Sequence, residues 1–167
     1  MTEARSLIEP SAFTIRAATL ADVETLAEQR RAMFSELGFR DDQALDAMAS
    51  AFAIWVRQKM QAGEYLAWLA AGADGTIAAG AGLWLMDWPP HMIGPGSRRG
   101  NVLNVYTRPD QRRQGLARRL MEVVLDSCRT LGIRTIILHA SEAGRPLYEA
   151  LGFEPTNEMR LLIDAGK

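Results

Sequence analysis

Arg112-Arg113-Gln114-Gly115-Leu116-Ala117 is the stretch whose reading decides the fold. An apolar, strand-like run at residues 102–107 leads into it, and an amphipathic helix begins near Leu116. Strand, tight turn and helix together make a site for an anion. The first helical turn leaves its backbone N–H groups without intrahelical partners, and the helix dipole places partial positive charge there. Gly115 lets the backbone approach a bound anion closely, and Ala117 keeps the next position small. Arg112, Arg113, Arg118 and Arg119 add forked donors that match phosphate oxygens.

Downstream, Leu116, Leu120, Val123, Val124 and Leu131 form a helical stripe that predicts packing on a sheet. Residues 134–139 are β-branched or Leu at their centre, the pattern of a strand covered on both faces. A short helix is predicted from near Pro146 to Leu151, with Gly152 as its left-handed cap. Phe153 onward and residues 159–163 then read as a closing hairpin. Upstream, residues 13–16 alternate as a first strand, and Thr19 starts a helix with Asp22 at capping-box spacing. Val23, Leu26, Met33, Phe34 and Leu37 recur on one face of that helix. A second helix spans residues 42–62. Strands at 65–70 and 76–85 are joined by Ala73-Asp74-Gly75, a hairpin signal. The loop at 87–96 holds Asp87, Pro89, Pro90 and His91, and loops of this composition often carry function. Residues 1–11 read as a flexible tail, and residues 12–167 as one domain.

Composition sets the bounds. At 167 residues, with 48% hydrophobic and 23% charged residues, the chain suits one soluble globular domain. A net charge of -1 gives no general attraction to nucleic acid, so the arginine cluster is a local feature. The most apolar windows fall short of the roughly 20 residues that cross a bilayer, so no membrane partner is expected. The N-terminus lacks the pattern of a secretion signal, and a cytoplasmic location is the expectation. Cys128, the sole cysteine, cannot form an internal disulfide and falls on an apolar helix face. His91 and His139 are far apart and no cysteine pair exists, which predicts no metal site.

Arg-x-x-Gly-x-Ala, after a strand and Pro109, resembles the coenzyme A pyrophosphate loop of the GCN5-related N-acetyltransferase (GNAT) family. Leu147-Tyr148-Glu149-Ala150-Leu151-Gly152-Phe153 is similar to the family's C-terminal signature, Leu-Tyr-x-x-Leu-Gly-Phe. Two motifs in this order, with these elements between them, are far more specific than either alone. The resemblance implies an α/β (α+β) acyl-CoA N-acyltransferase fold with a mixed central sheet of about seven strands and about four helices. It implies acetyl-CoA as cosubstrate, no metal, and transfer of an acetyl group to a primary amine, on a small molecule or a peptide, by direct attack in a ternary complex. Backbone groups of Val105, Tyr106 and Thr107 would follow the pantetheine arm in a gap where the strand splays at a bulge. Arg112, Arg113, Gln114, Gly115, Leu116, Ala117 and Arg118 would surround the pyrophosphate. Ser141 stands where many relatives carry a cofactor-contacting Asn. Tyr148 matches the residue that protonates the leaving thiolate, a phenol near pKa 10 facing a thiol near 8.5, a mismatch of roughly 2 kcal/mol.

The general base is where the sequence departs from the family. Many relatives carry an acidic residue on the strand before the loop, and this chain has Asn101 and Asn104, which accept no proton near neutral pH. Glu36, Asp87, His91 and Glu158 are the remaining candidates for the acceptor site, directly or through water. His139 reads as a structural histidine. Trp84, Trp88, Met33 and Phe34 fit either an acceptor pocket or core. The missing carboxylate leaves room for a non-catalytic acyl-CoA-binding sensor or regulatory module, and, since fold does not fix function, for an interaction scaffold. A homodimer is the base-rate expectation.

Overall fold

The computed structural model describes residues 12–93 and 96–163. The expected tail at residues 1–11 lies outside them. Five strands form one sheet in the order β1-β2-β3-β4-β5: β1 (Phe13–Ala17), β2 (Tyr65–Gly72), β3 (Ile77–Asp87), β4 (Arg98–Thr107) and β5 (Ile136–Leu138). The first four pair antiparallel, and β4 pairs parallel with β5. The helices are α1 (Val23–Glu36), α2 (Asp42–Gln61), α3 (Leu116–Thr130) and α4 (Arg145–Ala150).

Helices cover the sheet on both faces. Val23, Leu26 and Ala27 of α1 and Phe52 and Val56 of α2 pack on Tyr65, Ala67 and Leu69 of β2. On the other face Leu116, Leu120, Met121, Val124 and Cys128 of α3 are buried against Ala79, Ala81, Leu83 and Val102, flanked by Leu147 and Tyr148 of α4 and by Leu151 just after it. Each large side chain buried in this way contributes about 1.5–3 kcal/mol of transfer free energy, which fixes α3 on the sheet. Of the helix stripe read from sequence, Leu116, Leu120 and Val124 are buried on the sheet, Val123 is half-buried, and Leu131 lies beyond α3 and is exposed. Close approach elsewhere depends on glycine: a Cβ on Gly82 would lie 1.9 Å from the Tyr65 hydroxyl, and one on Gly80 2.3 Å from Gln29 Oε1.

The expected entry into α1 forms as a single 3-10 turn, Leu20–Asp22, with the Thr19/Asp22 capping box complete. Asp22 is buried and does more than cap. Its carboxylate accepts from both Arg16 guanidinium nitrogens (2.9 and 2.7 Å) and from the Thr19 amide (2.7 Å), tying β1 to the start of α1.

Two expectations are corrected. The sheet has five strands rather than about seven, because the closing hairpin does not form among the described residues. Residues 153–163 carry no strand, and Met159, Leu161, Leu162 and Ile163 stay exposed. An alternating pattern needs a sheet edge to add to, and β5 offers only three residues. Pro155 removes a donor and restricts its predecessor within the same segment. For the same reason the strand read at 134–139 is short and only half-buried: it pairs on one side, with Gly100, Asn101 and Val102.

The Arg16 hydrogen bonds, helped by the Thr19 amide and hydroxyl, hold the Asp22 pKa down to about 2 against the cost of burial. A depressed carboxylate contributes its full stability above its unfolded pKa near 4 and loses it as pH falls through the folded value. Asp22→Ala should lower unfolding free energy at pH 7 by about 1–3 kcal/mol in urea titrations. The difference between variant and wild type should shrink between pH 4 and pH 2.

Candidate active site

β4 is continuous with β3 along its length but not with β5. On the β3 side Tyr106 faces Gly80 and Leu103 faces Gly82, so Asn104 and Val105 together oppose Ala81 alone, a β-bulge. Asn104 sits at φ 54, the left-handed region that Asn tolerates better than most residues. On the other side, pairing with β5 stops at Val102 opposite Leu138. Val105, Tyr106 and Thr107 thus leave the parallel neighbour and line an open gap.

The gap belongs to one connected cavity of about 1680 Å³. That volume exceeds the roughly 300–1,000 Å³ of a site for one small ligand, so two can be held side by side. At one end lies the loop before α3. Arg113 and Gly115 both take left-handed backbone (φ 63 and 74), which turns the chain sharply into the helix. Arg119 is the first helical residue whose N–H is satisfied, by the Gly115 carbonyl at 3.1 Å. The amides of Leu116, Ala117 and Arg118 therefore face outward at the dipole's positive end, and no acidic residue lies in this first turn. Space for a Cβ on Gly115 is open, with no atom within 4 Å. A free helix start, open backbone and adjacent arginines fit a pyrophosphate.

Arg112 does not stand free. It donates through Nε to the Thr107 carbonyl (3.1 Å) and pairs with Glu36 at the end of α1, while the Tyr106 hydroxyl donates to Glu36 at 3.2 Å. Glu36 thereby braces the arginine loop against β4. Gln114 turns its amide to Gln111 (3.0 Å), and its side chain is not on the cavity wall. Ser141 is on the wall, and its hydroxyl accepts from the Gly144 amide at 3.1 Å, fixing the start of α4.

Tyr148 projects from α4 into the same cavity, edge-on to Phe153 with ring centroids 6.0 Å apart. Gly144 makes room for it: a Cβ there would stand 2.9 Å from Tyr148 Cε2. Burial pushes the phenol above its ordinary value, so it stays protonated through the working pH range. Among the described residues its hydroxyl has no hydrogen-bond partner.

Of the four acceptor-site candidates, only Glu36 lines the cavity. Asp87 lies at the end of β3 in a separate small depression, and His91 is exposed, its Nδ1 accepting from Ile93 N at 3.3 Å. Glu158 is paired at 3.5 Å with His139, which itself sits on the cavity wall; both side chains are exposed. The far end of the cavity is instead built from aromatic residues, with Trp55 edge-on to Trp84 at 5.2 Å and near Phe52 at 5.8 Å. Arg30 enters this end from α1. It was not among the residues singled out from sequence, although a cation between Leu26 and Met33 on an otherwise apolar face is a visible irregularity.

The family model described as "Acetyltransferase (GNAT) family" matches residues 21–153. The chain belongs to the GNAT acetyltransferase family. No curated protein matches it. A crystal structure of a GCN5-related N-acetyltransferase from Ralstonia eutropha JMP134 superposes with a TM-score of 0.84 at 36% identity, over 90% of this chain and 98% of that one. A predicted acetyltransferase from Clostridium acetobutylicum, crystallised with acetyl-CoA, gives 0.81 at 25% identity, over 90% and 96%. A glucosamine-6-phosphate N-acetyltransferase from Arabidopsis thaliana gives 0.66 at 17% identity, over 91% and 99%, and at that distance shares the fold alone.

A glutamate at position 115 would put its carboxylate into the space where a pyrophosphate meets α3. Gly115→Glu should abolish acetyl-CoA binding in calorimetry. The left-handed backbone should cost only about 1–2 kcal/mol, leaving the variant folded by circular dichroism.

Proposed function

We propose that this protein is an acetyl-CoA-dependent N-acetyltransferase that passes the acetyl group directly to a primary amine, both substrates bound at once. The observation that carries this reading is the connected cavity, which joins the α3 N-terminus, the β4 gap and the aromatic pocket without a wall between them.

Acetyl-CoA supplies an activated thioester. Leu116, Ala117 and Arg118 amides with Arg113 hold the pyrophosphate, and the open edge of Val105, Tyr106 and Thr107 takes the pantetheine amides in place of a neighbouring strand. A strand amide there also stabilises negative charge on the thioester oxygen. Holding amine and thioester in contact supplies much of the rate. The amine nitrogen forms the N–C bond as the C–S bond breaks, and the electron pair leaves on sulfur. Tyr148 meets that sulfur with its O–H. Because burial raises the phenol further above the thiol, donation of a hydrogen bond is favoured over full transfer in the barrier-crossing step. The amine gives up one proton and the thiolate gains one, so the protons balance. Asn101 and Asn104 accept none, and Glu36 is engaged by Arg112 and Tyr106, so the amine enters neutral or loses its proton to water.

A second reading, an acyl-CoA sensor without turnover, is favoured by that same lack of a free carboxylate on β4. Release of free CoA thiol from acetyl-CoA across a panel of amines separates the two. Cys128 is buried and desolvation pushes its thiol up to about 11, so the native protein adds no background. Amine-dependent release should appear in wild type. Tyr148→Phe should lower kcat about 10- to 100-fold with little change in KM for acetyl-CoA. Tight binding without turnover on any amine would support the sensor.

A further inference from the structure

Arg30 occupies a position on α1 where spacing calls for an apolar residue, on the face that carries Val23, Leu26, Met33 and Leu37. Its guanidinium lies 4.9 Å from the ring centroids of both Phe34 and Phe52. It donates to Asn104 Oδ1 at 2.7 Å, which uses one of its five N–H donors. No carboxylate among the described residues pairs with it. The neighbouring Arg31, by contrast, takes both Asp42 and Asp46. Even half-buried, an unpaired cation is costly, and desolvation weakens the hold of Arg30 on its proton.

The surroundings state what would complete it. Glu36, engaged by Arg112, and Glu142, next to Ser141, are the acidic residues on the cavity wall, and both belong to its cofactor end. The aromatic end therefore carries one charge, and that charge is positive. A polycationic acceptor would meet a cation in a low-dielectric pocket with no carboxylate to neutralise it. Asn101, also on the cavity wall, has a buried Oδ1 with no hydrogen-bond partner, an acceptor left unsatisfied beside the pocket.

Resting on the transferase reading of this cavity, we propose that the acceptor is an amino acid with an apolar or aromatic side chain. Its carboxylate binds the Arg30 fork, its amine donates to Asn101 Oδ1, and its side chain packs on Trp55 and Trp84. One guanidinium matches one carboxylate in charge and in planar geometry.

The test compares L-phenylalanine, L-phenylalanine amide, spermidine and glucosamine 6-phosphate as acceptors, by thiol release and by quenching of tryptophan fluorescence with CoA present. Wild type should use the amino acid with a kcat/KM about 30-fold or more above the amide. Arg30→Gln should lose about 100-fold on the amino acid while the amide changes less than about 3-fold, and Arg30→Lys should fall between. KM for acetyl-CoA should hold within about 3-fold in both variants. Equal use of acid and amide by wild type overturns the proposal, as does preference for spermidine or the sugar phosphate. An equal loss on acid and amide in Arg30→Gln also overturns it, because Arg30 would then only hold Asn104 in place. If no amine is acetylated but phenylalanine quenches fluorescence in wild type and not in Arg30→Gln, the carboxylate site stands and the transferase reading falls. No turnover and no carboxylate-dependent quenching defeats the proposal itself.

Discussion

The left-handed kink at Asn104 is the constraint on which the rest of the site depends. A strand that kept its register through residue 107 would stay paired with its parallel neighbour and close the sheet. Two residues opposite Ala81 instead turn Val105, Tyr106 and Thr107 away from β5, and the cavity opens where the pairing ends at Val102. Bulges add twist and leave backbone groups unpaired, a liability in most sheets. Here the unpaired edge is the feature that an amide-bearing ligand can use. Asn104 holds this kink within the strand itself, and its side chain accepts one hydrogen bond from Arg30 of α1, the helix that covers the pocket.

The two ends of the cavity differ in the source of their charge. At the α3 end the positive potential comes from backbone amides and the helix dipole together with the arginines around them, and Glu36 braces one of those arginines without lying in the first turn. Such a field is fixed by the fold and suits a ligand common to a whole family. At the α1 end the charge rests on a single side chain among aromatic rings. Side chains of that kind change without disturbing the sheet, which is the usual way one scaffold hosts different acceptors.

The loop and helix start at the α3 end of the cavity were legible in the sequence because their determinants are contiguous. Gly115 and the start of α3 lie within six residues, and the Tyr148 motif within seven. What could not be read was set by contacts across the chain. The Arg30–Asn104 hydrogen bond joins residues 74 apart, and the Arg112–Glu36 pair residues 76 apart. The left-handed conformation of Asn104 leaves no mark on sequence beyond a residue type that tolerates it. The closing hairpin failed for a related reason: the alternation at 159–163 reports propensity, while a strand exists only if an edge receives it. The roles of Gly80 and Gly82 are likewise set across the chain, by the side chains of Gln29 and Tyr65 that lie against them.

In the proposed reaction one cavity brings both substrates into contact, so that the acetyl group never resides on the protein. Initial rates measured with acetyl-CoA varied at several fixed concentrations of a turned-over amine test it most directly. Intersecting double-reciprocal lines are predicted, as a ternary complex requires. Parallel lines, the signature of an acetylated enzyme intermediate, would contradict it.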